Sequence, residues 1–190
     1  MKSDGTKQTS LTNNATIDSN PTWSLDGSQI GFVSERDGDL DIWAMKPVPE
    51  GPDNVPQNLT NSPGGAFDSD PPWSSYLPDG STRIAFHRNG DVWTMNPANP
   101  GAPKTQITTE PTGSDSFPNW SPNGARIASK SNRNTGTFPN TGNDQEIYTI
   151  KAQPENATTN EPRRLTRGSV YPGQNAPGEC RGRLANKLKC

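Results

Sequence analysis

One seven-residue run occurs three times in this chain. Asp18-Ser19-Asn20-Pro21-Thr22-Trp23-Ser24 returns as Asp68-Ser69-Asp70-Pro71-Pro72-Trp73-Ser74 and again as Asp115-Ser116-Phe117-Pro118-Asn119-Trp120-Ser121. The tryptophans lie 50 and then 47 residues apart, a period that belongs to stacked structural units rather than to one continuous core. Each run leads to a hairpin signal, Asp26-Gly27, Asp79-Gly80 or Asn123-Gly124, whose glycine readily takes the positive φ of a tight turn. Strand-like segments follow at Ile30-Gly31-Phe32-Val33, Ile84-Ala85-Phe86 and Ile127-Ala128. After a polar turn come Asp41-Ile42-Trp43-Ala44-Met45, Asp91-Val92-Trp93-Thr94-Met95 and Glu146-Ile147-Tyr148-Thr149-Ile150. Each unit closes on Leu59-Thr60, Ile107-Thr108 or Leu165-Thr166.

Four short strands per unit suit the composition, in which 20 prolines and 18 glycines among 190 residues exclude long helices. A four-stranded unit of this size cannot cover its own apolar side chains, and its strands are not cleanly amphipathic. Both faces must therefore be covered by neighbours, as they are when sheets stack radially in a β-propeller.

The pattern D-x-x-P-x-W-S-x-D-G, then I-x-F, then D-I-W-x-M, then L-T resembles the WD-repeat-like unit of TolB-type six-bladed propellers, a unit also found in tricorn-protease and prolyl-peptidase propeller domains. The resemblance covers residues 18–166. It implies an all-β fold with three complete blades, at 18–60, 68–108 and 115–166, and partial blades at each end. It further implies a non-enzymatic scaffold that binds a protein or small ligand. The alternative is the propeller portion of a prolyl-oligopeptidase- or tricorn-like peptidase whose catalytic domain lies elsewhere. Members of the family are often periplasmic, whereas "MKSDGTKQTS" lacks the apolar core of a signal peptide, and no apolar run approaches the roughly 20 residues of a membrane span.

Both ends read as partial units. Met1-Lys2 aligns with Met45-Lys46 and residues 8–12 with the closing run 56–60, so 1–12 are expected to supply the fourth strand of a preceding blade. Gln174-Asn175-Ala176-Pro177 stands where another Asp-Ser-x-Pro is due, but "GECRGRLANKLKC" replaces the continuation. The expectation is a reading frame lost near Pro177 and a disordered tail over 167–190, against the alternative of a divergent tail. Residues 163–190 hold seven Lys or Arg and one Glu, without the aromatic interleaving of a nucleic-acid binder or amphipathic periodicity. With a net charge of −2, no nucleic-acid partner is expected. Cys180 and Cys190 match no metal spacing. Open blade faces make self-association an expected hazard.

No catalytic residue, cofactor or metal is expected. His87, the single histidine, lies on a strand between packed sheets and reads as structural, and no G-x-S-x-G elbow is present. The acidic loop Asp37-Gly38-Asp39-Leu40-Asp41 invites a calcium reading, but its counterpart shrinks to Asn89-Gly90, so it reads as a turn. Arg36, Arg88 and Arg133 recur before that turn, and Asp41, Asp91 and Glu146 after it. They are expected to pair as ion pairs across the hairpin. Trp23, Trp73 and Trp120, with Trp43, Trp93 and Tyr148, are expected to be structural repeat positions. Asp18, Asp68 and Asp115 precede the first strand, innermost in propellers by the resemblance. They are either turn acceptors or an acidic rim for a cationic ligand, a metal or a basic segment. Tyr76 in "SYLP" and Phe138 in the insertion 132–144 are candidate loop contacts. Asn14, Asn58 and Asn156 lie in N-x-Thr sequons.

Overall fold

A computed structural model of the chain describes residues 1–62, 64–109, 113–133, 144–152 and 162–166. Phe138, Asn156, the basic tail and both cysteines lie outside the described residues. Among the described residues, twelve strands form three four-stranded antiparallel sheets, each in simple sequence order. The first holds β1 (Asp18–Trp23), β2 (Ile30–Ser34), β3 (Asp41–Met45) and β4 (Gln57–Asn58). The second holds β5 (Asp68–Ser69), β6 (Ile84–Arg88), β7 (Asp91–Met95) and β8 (Thr105–Gln106). The third holds β9 (Asp115–Trp120), β10 (Arg126–Ser131), β11 (Glu146–Lys151) and β12 (Arg163–Arg164). These are propeller blades, and no described residue is helical.

The repeated run has a local reason at each position. After each Trp, the serine N–H and Oγ bracket the hairpin that leads to the second strand. Ser24 donates its N–H to the Gln29 carbonyl and accepts the Gln29 N–H on Oγ, and Ser74 with Arg83 and Ser121 with Arg126 do the same. The turn glycines Gly27, Gly80 and Gly124 sit at φ of 70°, 77° and 67°, where a Cβ would strain the backbone. In the middle blade Pro71 and Pro72 remove two N–H donors from the ladder, so β5 is short and resumes only as an isolated bridge from Trp73 to Ile84.

Two apolar clusters bind the blades face to face. Val33, Ile42, Ala44 and Leu59 of the first blade meet Ile84, Phe86 and Met95 of the second, with Trp73 and Trp93 against them. Ala85, Val92 and Ile107 of the second meet Ile127, Ile150 and Ala152 of the third, with Trp120 against them. Burying each large aliphatic or aromatic side chain contributes about 1.5–3 kcal/mol. The core therefore lies between sheets, and the middle sheet is covered on both faces, as the lack of clean alternation required.

Residues 1–12 form no strand. They run as turns and extended coil, held where the Leu11 carbonyl accepts the Glu50 N–H at 2.7 Å.

Candidate functional site

Each blade holds an arginine over aromatic rings, two in the first and second blades and one in the third. The Arg36 guanidinium lies 5.2 Å from the Phe32 ring centroid and 5.0 Å from that of Trp43. Arg88 lies similarly over Phe86 and Trp93, and Arg133 over Tyr148. Such stacking suits the weakly hydrated, planar guanidinium. The carboxylate that neutralises each arginine comes from the first strand: Arg36 binds Asp18 at 3.2 Å, Arg88 binds Asp68 at 2.6 Å, and Arg133 binds Asp115. Glu50 joins the first of these pairs at 3.2 Å, and the Ser62 hydroxyl bonds both Arg88 and Asp68 in the second.

This geometry corrects two expectations. Arg36 and Arg88 do not pair with Asp41 and Asp91 across the hairpin, because those carboxylates are held by the closing strand. Thr60 Oγ1 accepts the Ile42 N–H at 2.9 Å and donates to Asp41 at 2.8 Å. Thr108 does the same for Val92 and Asp91, and Thr166 for Ile147 and Glu146. Two residues earlier, Asn58, Gln106 and Arg164 each donate to the same three carboxylates. Asp18, Asp68 and Asp115, in turn, form no open acidic rim. Asp68 and Asp115 are fully buried, and their main partners are arginine side chains rather than turn N–H groups. Burial pushes the Asp18 carboxyl up, but hydrogen bonds from Ser34, Thr12, Asn14 and Arg36 outweigh it and leave the group below the usual carboxylate range.

His87 is held between the second blade's strands. The Gly90 N–H donates to Nε2 at 3.0 Å, and Nδ1 lies 3.3 Å from Ser69 Oγ. Asp37, Asp39 and Asp41 bring carboxylate oxygens within 4.8 Å of one another. Both Asp41 oxygens already accept protein donors, from Thr60 and Ser62 on one and Asn58 on the other. Burial and the neighbouring Asp41 and Asp37 charges raise the Asp39 pKa.

The first strands carry a feature that the sequence reading passed over. The residue two positions after each repeat aspartate adopts a left-handed backbone: Asn20 at φ 50°, Asp70 at 54° and Phe117 at 51°. The strand bulges there, breaking register between Ser19 and Thr22 in β1 and against Ala128 and Lys130 in β9. Asn and Asp tolerate this conformation, whereas a phenylalanine in it is a strained outlier. The three side chains are open or half-open, and they differ in chemistry where the rest of the run is nearly invariant. Asn20 donates to Asp70 at 2.8 Å across the blade boundary, so the first strands of adjacent blades converge here. Lys130 stands 5.3 Å from the exposed Phe117 ring. The available signal was variation: the third position of D-S-x-P reads Asn, Asp and Phe within one chain.

Four-stranded sheets in sequence order, packed face to face with their cores between them, define an all-β propeller architecture. Among solved structures the chain is similar to a putative TolB from Agrobacterium tumefaciens, with 21% identity and a TM-score of 0.53, covering 81% of this chain and 50% of that one. It is also similar to TolB from Acinetobacter baumannii, with 20% identity and a TM-score of 0.52, covering 80% of this chain and 33% of that one. A puromycin-hydrolysing peptidase of Mycobacterium tuberculosis matches at 16% identity and a TM-score of 0.49. The fold is that of the TolB-type propellers, and the chain spans half or less of the length of these structures. No family model and no curated protein matches the sequence.

Proposed function

We propose that this propeller is a non-enzymatic scaffold that binds an extended segment of a protein partner at the first-strand bulge formed by Asn20, Asp70 and Phe117. The observation that carries this reading is the left-handed backbone repeated at three equivalent first-strand positions, two of them joined by the Asn20–Asp70 bond and the third strained at Phe117. Strain held by a rigid surround collects at functional surfaces. The repeated polar residues around it serve the scaffold, in the arginine stacks and the threonine bonds. An amide, a carboxylate and an open ring beside a lysine suit peptide groups: backbone N–H and C=O, a basic side chain and an apolar one.

Panning a displayed peptide library against the chain tests the reading, with the triple variant Asn20→Ala, Asp70→Ala, Phe117→Ala as the counter-selection. Peptides enriched on the parent should bind the variant about tenfold or more weakly, a loss of about 1.4 kcal/mol, while the variant keeps its strand circular dichroism. Equal binding to both proteins would remove the bulge from the function.

A further inference from the structure

The two ends of the blade stack are complementary halves of one joint. That joint occurs twice inside the chain. In each case the first-strand Trp of one blade lies on a seat made by the preceding blade: a small residue on its second strand, an apolar residue on its third and an apolar residue at its close. Trp73 stands over Gly31, where a Cβ would lie 2.9 Å from the indole Nε1, within the cluster that includes Ile42 and Leu59. Trp120 packs on the cluster of Ala85, Val92 and Ile107, and donates its Nε1–H to the Pro72 carbonyl at 3.2 Å.

The third blade carries the same seat in the same register: Ala128, Ile147 and Leu165. Nothing covers it. Ile147 is 40% exposed where Ile42 and Val92 are at 0%, and Leu165 is 56% exposed where Leu59 and Ile107 are buried. At the opposite end, Trp23 is the indole that fills such a seat, and it is 58% exposed, unlike Trp73 and Trp120, which are half-buried.

We infer that a second copy of this chain is the partner of both faces. Trp23 of each copy enters the Ala128, Ile147 and Leu165 seat of the other, and a twofold axis relates the copies. The seat and the indole that fits it belong to one sequence, so no foreign surface is needed to match them. A twofold pair fills both seats at once, whereas a single head-to-tail contact leaves one indole and one seat in water. Lys130 stands in the slot that Val33 fills in the first blade, which makes this third seat more polar than the internal ones and the pairing reversible.

Sedimentation equilibrium of the full chain over a wide concentration range tests the inference. The expected result is a reversible species of twice the 20.5 kDa chain mass. Trp23→Ala and Ile147→Asp, on opposite faces, should each weaken it about tenfold or more, while Tyr76→Ser on a loop should leave it unchanged. Both target residues are exposed, so the variants should keep the parent's circular dichroism, and Leu165→Lys provides an independent change to the seat. An equimolar mixture of Trp23→Ala and Ile147→Asp should pair better than either alone, because it restores one intact joint. A monomer at every concentration, with the seat covered by residues 167–190 or by another partner, would overturn the inference. So would a dimer that Trp23→Ala leaves intact, or unlimited polymer in place of a closed pair.

Discussion

Thr60, Thr108 and Thr166 close their blades with one hydroxyl each, which accepts a third-strand N–H and donates to the carboxylate that opens that strand. Removing the hydroxyl leaves a buried N–H unpartnered. Thr60→Ala should therefore cost about 1–3 kcal/mol in urea unfolding, and Thr60→Ser should recover most of it; an Ala variant as stable as the parent would refute the bond's role. The buried Arg88–Asp68 pair is costlier to break, and Asp68→Ala should lose about 3–5 kcal/mol because it strands the arginine. At the surface, hydrogen bonds from the Ser28 N–H and the Ser24 and Ser28 hydroxyls lower the Asp26 pKa from 3.8 to about 2. The folded-state value lies below the unfolded one, so this turn's contribution is complete above about pH 4 and fades as the pH falls toward 2. A carboxyl titration followed by NMR should place Asp26 near the lower value; a midpoint at 3.8 would discount the turn bonds.

Among the elements, the joints between blades turn on small residues. Gly31→Val should strain the first joint by about 1–3 kcal/mol, since even a Cβ meets the Trp73 indole. A matching Ala85→Val change tests whether the second joint is as tight, with thermal unfolding as the readout for both. The strands, their order and their turns were legible in the sequence because each rests on local chemistry: an Asp-Gly or Asn-Gly turn, a serine bracket, a closing Leu-Thr or Ile-Thr. The arginine partners were not. Arg88 stands in register with Asp68 on one side and Asp91 on the other, so spacing alone offers two carboxylates. The choice falls to Asp68 because Thr108 and Gln106, from a strand distant in sequence, already hold Asp91. The left-handed bulge was hidden for a different reason: the repeat aligns Phe117 with Asn20 and Asp70, but a phenylalanine gives no hint of a positive φ.

The whole molecule behaves as a short stack whose stability is shared between neighbours. Ile84, Phe86 and Val92 of the middle blade are fully buried, while Ile147 of the third blade is half-open. At a dilution that keeps copies apart, amide exchange should be slowest in β6 and β7, and about tenfold or more faster in β11; uniform protection across the three sheets would contradict a nearest-neighbour stack. The threonine bonds have a further consequence for how such chains change over generations. Each closing threonine serves a donor and a carboxylate of its own blade, and the first-strand bonds that do cross a boundary recur at equivalent positions, the Asp68 N–H on the Leu40 carbonyl and the Asp115 N–H on the Gly90 carbonyl, so the unit and its joint repeat together. A duplication or deletion of one whole unit leaves few severed hydrogen bonds behind. Blade number can therefore drift in a lineage while the blade itself stays fixed.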